Sequence, residues 1–91
     1  FQRLVFQSMR DKIVPDGMLA RLRALADEVV IPALPLERAS DPAELARRFG
    51  PGTAVTDSLA AALAPGKTTL ICGSLYLAGA YYALHPECLE L

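Results

Sequence analysis

The stretch Thr68-Thr69-Leu70-Ile71-Cys72-Gly73-Ser74-Leu75-Tyr76-Leu77 reads as a strand, a two-residue turn and the start of a helix. Consecutive β-branched and apolar residues from Thr68 to Cys72 suit a strand covered on both faces, since a strand half open to water would alternate. Gly73 allows a tight turn, and Ser74 is a favoured residue at a helix N-terminus. The helix then runs from Leu75 to about Leu84. His85-Pro86 ends it, because the residue before a proline is biased out of helical geometry.

Working outward from this unit, the same pattern recurs upstream. Leu4-Val5-Phe6 is a short buried strand leading into the polar Gln7-Ser8 and the charged Arg10-Asp11-Lys12. Pro15-Asp16-Gly17 opens a helix whose apolar positions Met18, Leu22 and Leu25, flanked by Leu19 and Ala26, keep helical spacing, with Arg21, Arg23 and Asp27 on the other face. Val29-Val30-Ile31 is a second strand that ends at Pro32. After the loop Ala33 to Ser40, Asp41-Pro42-Ala43-Glu44 carries an acidic N-cap, a proline at the first helical position and a glutamate three residues after the cap. Leu45, Ala46 and Phe49 supply the buried stripe of that helix, and Gly50 stops it. Thr53-Ala54-Val55-Thr56 is a weaker third strand, and Asp57 or Ser58 caps a short Ala-rich helix through Leu63, closed by Pro65-Gly66. Four βα units in a row predict an α/β fold: a mostly parallel, Rossmann-like sheet of about four strands with helices on both faces. Gly79 inside the last helix costs about 1 kcal/mol relative to Ala and is expected to mark a close approach to a strand or another helix.

Composition limits what such a domain does. With 91 residues, 53% apolar, and 9 Lys and Arg against 10 Asp and Glu, the chain is one packed domain at most and not a disordered one. A net charge of -1 without a basic cluster excludes binding to nucleic acid by phosphate neutralisation. No run approaches the ~20 apolar residues of a membrane-spanning helix, so no membrane partner is expected. Cys72 and Cys88 are too few for a disulfide framework and read as free thiols in a reducing, cytoplasmic setting. The start Phe1-Gln2-Arg3, without an initiating Met and running straight into an apolar strand, reads as a domain truncated on its N-terminal side.

Ligands of an open α/β sheet bind at the carboxyl ends of its strands, and two of the loops there carry suitable groups. In Ser8-Met9-Arg10-Asp11-Lys12, Arg10 and Lys12 suit a carboxylate or phosphate, with Ser8 and Asp11 in support; the plainer alternative is a solvated loop with an internal ion pair. In Gly73-Ser74, the serine hydroxyl and the free N–H groups of a helix start suit an anion, a role compatible with plain N-capping. His85 has no partners at metal-ligand spacing and reads as a solvated or C-capping histidine, while one ring of Tyr81-Tyr82 packs and the other is half exposed. No metal site, Walker-type loop, dinucleotide fingerprint or nucleophile with a placed histidine is present in the sequence.

Three of these stretches together carry a resemblance. Val5-Phe6-Gln7-Ser8-Met9-Arg10-Asp11-Lys12, Arg38-Ala39-Ser40-Asp41-Pro42, and Leu70-Ile71-Cys72-Gly73-Ser74-Leu75-Tyr76-Leu77-Ala78-Gly79 resemble, in order and from about Arg3 to Leu84, the C-terminal domain of the bacterial folylpolyglutamate synthase and dihydrofolate synthase family, relatives of the murein peptide ligases. The resemblance implies an ATP-dependent amide ligase that uses Mg2+ and joins L-glutamate to a folate or dihydropteroate through an acyl phosphate. It places Ser74 first, with Gly73, on the glutamate side, and Arg10 and Lys12 second. The family's N-terminal P-loop ATPase domain, and its Asp-Gly-Ala-His-Asn-Pro segment upstream of the first strand, are absent from these 91 residues. Residues 1–91 are therefore expected to be a partial C-terminal domain, inactive alone, with no complete catalytic set and no tight nucleotide site. The exposed cut surface is expected to favour self-association. The short helix between Asp57 and Leu63 is a departure from the family's usual length. Alternatives are a murein peptide ligase C-terminal domain and a free-standing, non-catalytic α/β binding module.

Overall fold

A computed structural model of the protein describes residues 1–63 and 65–89, with the side chains of Leu75, Tyr76, Cys88 and Leu89 left undescribed, so the expected free thiol of Cys88 lies outside the described residues. The first apolar run forms β1 (Arg3–Phe6), in which Leu4, Val5 and Phe6 are all buried. It is flanked on both sides, pairing in parallel with β2 (Glu28–Pro32) and with β4 (Thr69–Cys72), while β3 (Ala54–Thr56) joins β2 in parallel. The order across the sheet is β3-β2-β1-β4. In register, Leu4 stands opposite Val29 and Leu70, and Val5 opposite Val30 and Ile71, so apolar rows cross the sheet.

The alternation of side chains along each strand divides the core in two. Leu4, Phe6, Val29 and Ile31 face α1 (Asp16–Ala24) and α2 (Pro42–Phe49), which contribute Leu19, Leu45 and Phe49. The Phe6 and Phe49 rings meet edge to face with centroids 5.2 Å apart. On the other face, Val5 and Val30 pack against Leu59 and Ala62 of α3 (Leu59–Ala62) and Leu77 of α4 (Leu75–Leu84). The expected α/β architecture, parallel and covered on both faces, is the one observed.

Helix termini follow the local signals. The Asp41 carboxylate accepts from the Ala43 N–H at 3.2 Å at the start of α2, and Gly50 ends that helix with a φ of 111°. Ser58, rather than Asp57, caps α3, its hydroxyl accepting from the Ala61 N–H at 3.1 Å. At the amino ends of the strands, Glu28 accepts from Lys67 Nζ at 2.7 Å and from Arg3 Nε at 2.9 Å, which holds its carboxyl below the usual range.

Two expectations are corrected. The buried position of α1 is Leu19, 1% exposed, with Leu22 and Ala26 beside it, whereas Met18 and Leu25 are about half exposed. Two stripes at helical spacing share Leu22, one with Met18 and Leu25 and one with Leu19 and Ala26, and the second is the one that faces the core. Gly79 is exposed, and a Cβ built on it would meet nothing within 4 Å; no close approach explains it. The outer side of α4, including Tyr82 and Leu84, is likewise open, while Tyr81 packs against the second cluster.

Leu19→Ala is expected to cost about 2–5 kcal/mol in urea unfolding, and Met18→Ala no more than about 0.5 kcal/mol. Gly79→Ala should raise stability by about 0.5–1 kcal/mol, read as an increase in the thermal midpoint.

Candidate functional site

The strand order places the site. From β1 the chain steps outward through β2 to β3, then returns across the sheet to β4 on the far side of β1. Connections leaving β1 and β4 thus diverge, and an open α/β sheet has its natural crevice outside the carboxyl ends of two such strands. Both loops singled out in the sequence lie there: Ser8 to Lys12 follows β1, and Gly73-Ser74 follows β4.

At this end the two strands are pressed together. Gly73 has a φ of 117°, and a Cβ on it would collide with the Gln7 carbonyl oxygen and with the Phe6 ring. Only glycine meets both demands. Ser74 then starts α4, its hydroxyl accepting from the Leu77 N–H at 3.0 Å. The hydroxyl is thus engaged as an N-cap, and its remaining hydrogen-bonding capacity stands at the positive end of the helix.

On the other side of β1, its loop is laced to the β2–α2 loop. Met9 forms an isolated antiparallel bridge with Ala39. The Arg10 N–H donates to the Arg38 carbonyl at 2.7 Å and its Nε to the Ala39 carbonyl at 3.1 Å. The Ser40 N–H donates to the Ser8 carbonyl at 2.8 Å, and the Ser8 and Ser40 hydroxyls are 3.1 Å apart. Asp11 pairs with Arg38 at 2.7 Å, which pulls its carboxyl below the usual range, so its carboxylate serves the neighbouring loop rather than orienting Arg10 or Lys12. Lys12 makes a backbone turn to Met9, and among the described residues its ammonium has no hydrogen bond or ion pair.

Between the two laced loops lies a cleft of about 610 Å³, with Ser8, Arg10 and Lys12 on one side and Ser40, Glu44 and Arg48 on the other. The structure therefore brings Ser8, Arg10 and Lys12 together; Gly73 and Ser74 do not line this cleft, and Gly73 abuts Gln7, the residue before that loop. Sequence reasoning missed Ser40, Asp41, Glu44 and Arg48 as cleft residues, because a helix start carries the same residues whether or not it borders a cleft. Arg48 donates to the Val14 carbonyl and to Asp16, tying α2 to α1. Burial pushes the Cys72 thiol up, so it is not a ready nucleophile. Among the described residues no cluster of His, Cys, Asp or Glu could hold a metal ion, so the residues here do not fit Mg2+.

The geometry has counterparts of known activity. A crystal structure of Mycobacterium tuberculosis folylpolyglutamate synthase, complexed with ADP and AMPPCP, matches this chain with a TM-score of 0.69 and 32% sequence identity over 92% of its length. The chain is similar to folylpolyglutamate synthase in sequence and in fold. The same synthase complexed with ADP gives a TM-score of 0.69 at 30% identity over 92% of this chain. In both cases the match spans only 23% of the synthase chain. No protein-family model matches the chain, and no curated protein matches it in sequence. No helix among the described residues is long and apolar enough to cross a membrane.

Gly73→Ala is expected to destabilise the chain by roughly 2 kcal/mol or more, since strain at positive φ adds to the clash. In ¹⁵N-correlated spectra the amides of Gln7 and Ser8 should shift more than those of β3.

Proposed function

We propose that this chain is part of the C-terminal, glutamate-side domain of a cytoplasmic ATP-dependent ligase that joins L-glutamate to a folate or dihydropteroate. The observation that carries the reading is positional. Two stretches resembling the ligase family, Ser8 to Lys12 and Gly73-Ser74, lie on the two strands that flank the switch point of the sheet, in a chain 32% identical to folylpolyglutamate synthase over 92% of its length. Among murein peptide ligases and folate ligases, the Gly73-Ser74-Leu75-Tyr76 stretch and the named neighbours favour the folate side.

In such a ligation a substrate carboxylate takes the γ-phosphoryl group of ATP and ADP leaves. The amine of glutamate then attacks the acyl carbon, phosphate departs and the amine loses a proton. This chain's part is to hold the glutamate. The unpaired Lys12 ammonium and the remaining guanidinium N–H groups of Arg10 suit its carboxylates, and the Ser74 hydroxyl and the α4 N-terminus offer further donors. On this reading the nucleotide and its metal are held mainly by a P-loop domain, with the C-terminal domain contributing part of the nucleotide site. The exposed apolar side of α4 fits a surface that is covered in the whole enzyme, and would favour self-association when it is not.

The test assays the complete product of the gene with ATP, L-glutamate and either folates or muropeptide precursors, following product mass. Glutamate addition to a folate or dihydropteroate is expected, with none by the 91-residue chain alone. Transfer to muropeptide precursors instead overturns the reading. Lys12→Ala and Ser74→Ala should each raise the KM for glutamate by about tenfold or more while kcat changes less. If both leave the glutamate dependence unchanged, the residue assignment fails even where the ligase activity stands.

A further inference from the structure

We propose that Gln7 is a positioning residue, whose side-chain amide sets the loop of Arg10 and Lys12 in fixed register with the β2–α2 loop while its main-chain carbonyl abuts Gly73; its role in ligand binding rests on the glutamate-side reading above. Gln7 directly follows β1, and its side chain is completely buried among neighbours that are apolar along the strand. A core position asks for an apolar residue unless a polar one does something that an apolar one cannot.

Both of its polar atoms are committed. Nε2 donates to the Pro32 carbonyl at 3.0 Å, at the end of β2, and to the Ser40 carbonyl at 3.2 Å, one residue before the cap of α2. Oε1 accepts from the Ser8 N–H at 2.8 Å. Two carbonyls facing one end of the amide and an N–H facing the other leave a single orientation. The main-chain carbonyl of the same residue abuts Gly73. One residue thus touches the exits of β1, β2 and β4. The contacts that carry the tie outward start at its neighbours: Ser8 with Ser40, then Arg10 with Arg38 and Ala39, and at the end Arg10 and Lys12 on this loop's side of the cleft.

Gln7→Met keeps the side-chain volume and removes all three side-chain hydrogen bonds. In the 91-residue chain, hydrogen exchange at Arg10 and Ser40 should lose about tenfold or more in protection while the β1 and β2 ladder amides keep theirs. Unchanged loop protection, or an equal loss across the sheet, overturns the proposal and leaves Gln7 as core filling.

Gln7→Glu supplies a readout that packing alone would not move, and decides the matter if Gln7→Met does not fold. A buried carboxyl is raised in pKa by desolvation; protonated, it donates one hydrogen bond and accepts another, and ionised it donates none. Loop amide shifts of the Glu variant should therefore move from wild-type-like to displaced between about pH 5 and 8. The charged groups on the adjoining elements, Arg10, Asp11, Lys12, Arg38, Asp41, Glu44 and Arg48, are exposed and common to wild type and variant, so a transition seen only in the variant belongs to the introduced carboxyl. Absence of the transition in the variant overturns the proposal. None of these measurements needs a substrate, so they stand or fall apart from the ligase reading. In the complete gene product, Gln7→Met should raise the KM for L-glutamate about tenfold with a smaller change in kcat, and a loss confined to kcat counts against positioning.

Discussion

Phe6 and Cys72 form the last rung of the β1–β4 ladder, and one residue further the Gly73 backbone turns against the Gln7 carbonyl. That approach leaves no room for a Cβ, so the exits of the two strands are held together by backbone contact and not by side chains that could repack. Behind it β1 is buried on both faces, with Leu4 and Val5 wholly inaccessible to water, while β4 is partly covered. A parallel sheet is stable only when covered in this way, so the helices that supply the cover also determine where the loops leave.

At the carboxyl end, charge is used sparingly. Arg38 neutralises Asp11, Asp16 neutralises Arg48, and Arg10 spends one donor on the Ala39 carbonyl, so Lys12 is the cation of the cleft whose charged group makes no hydrogen bond or ion pair among the described residues. A near-neutral chain can thus still offer a local anion site. Its selectivity would come from a few placed groups and not from a broad field, which suits a small ligand better than a polyanion.

Much of the architecture was legible because it rests on local rules. Apolar runs of three to five residues bounded by polar loops marked the strands, and Asp41-Pro42, Gly50 and Ser74 marked helix ends through backbone hydrogen bonding that any neighbouring residue would supply. The misreadings arose where the local rule had two solutions. The α1 stripe could run through Met18 or Leu19, and packing against β1 and β2 buries Leu19. Gly79 fits a close approach in a sequence, yet it faces open space.

The order of apolar and polar residues by itself determined four βα units, a parallel sheet and the two loops most suited to an anion, because strand and helix periodicities and caps depend on neighbours a few residues away. Only the tertiary structure decided that β1 and β4 flank the switch point, that Ser8, Arg10 and Lys12 share a cleft with α2 while Ser74 stands apart from it, and that Gln7 joins them. The partners of Gln7 are main-chain carbonyls 25 and 33 residues away, and a carbonyl has no residue type to read in a sequence.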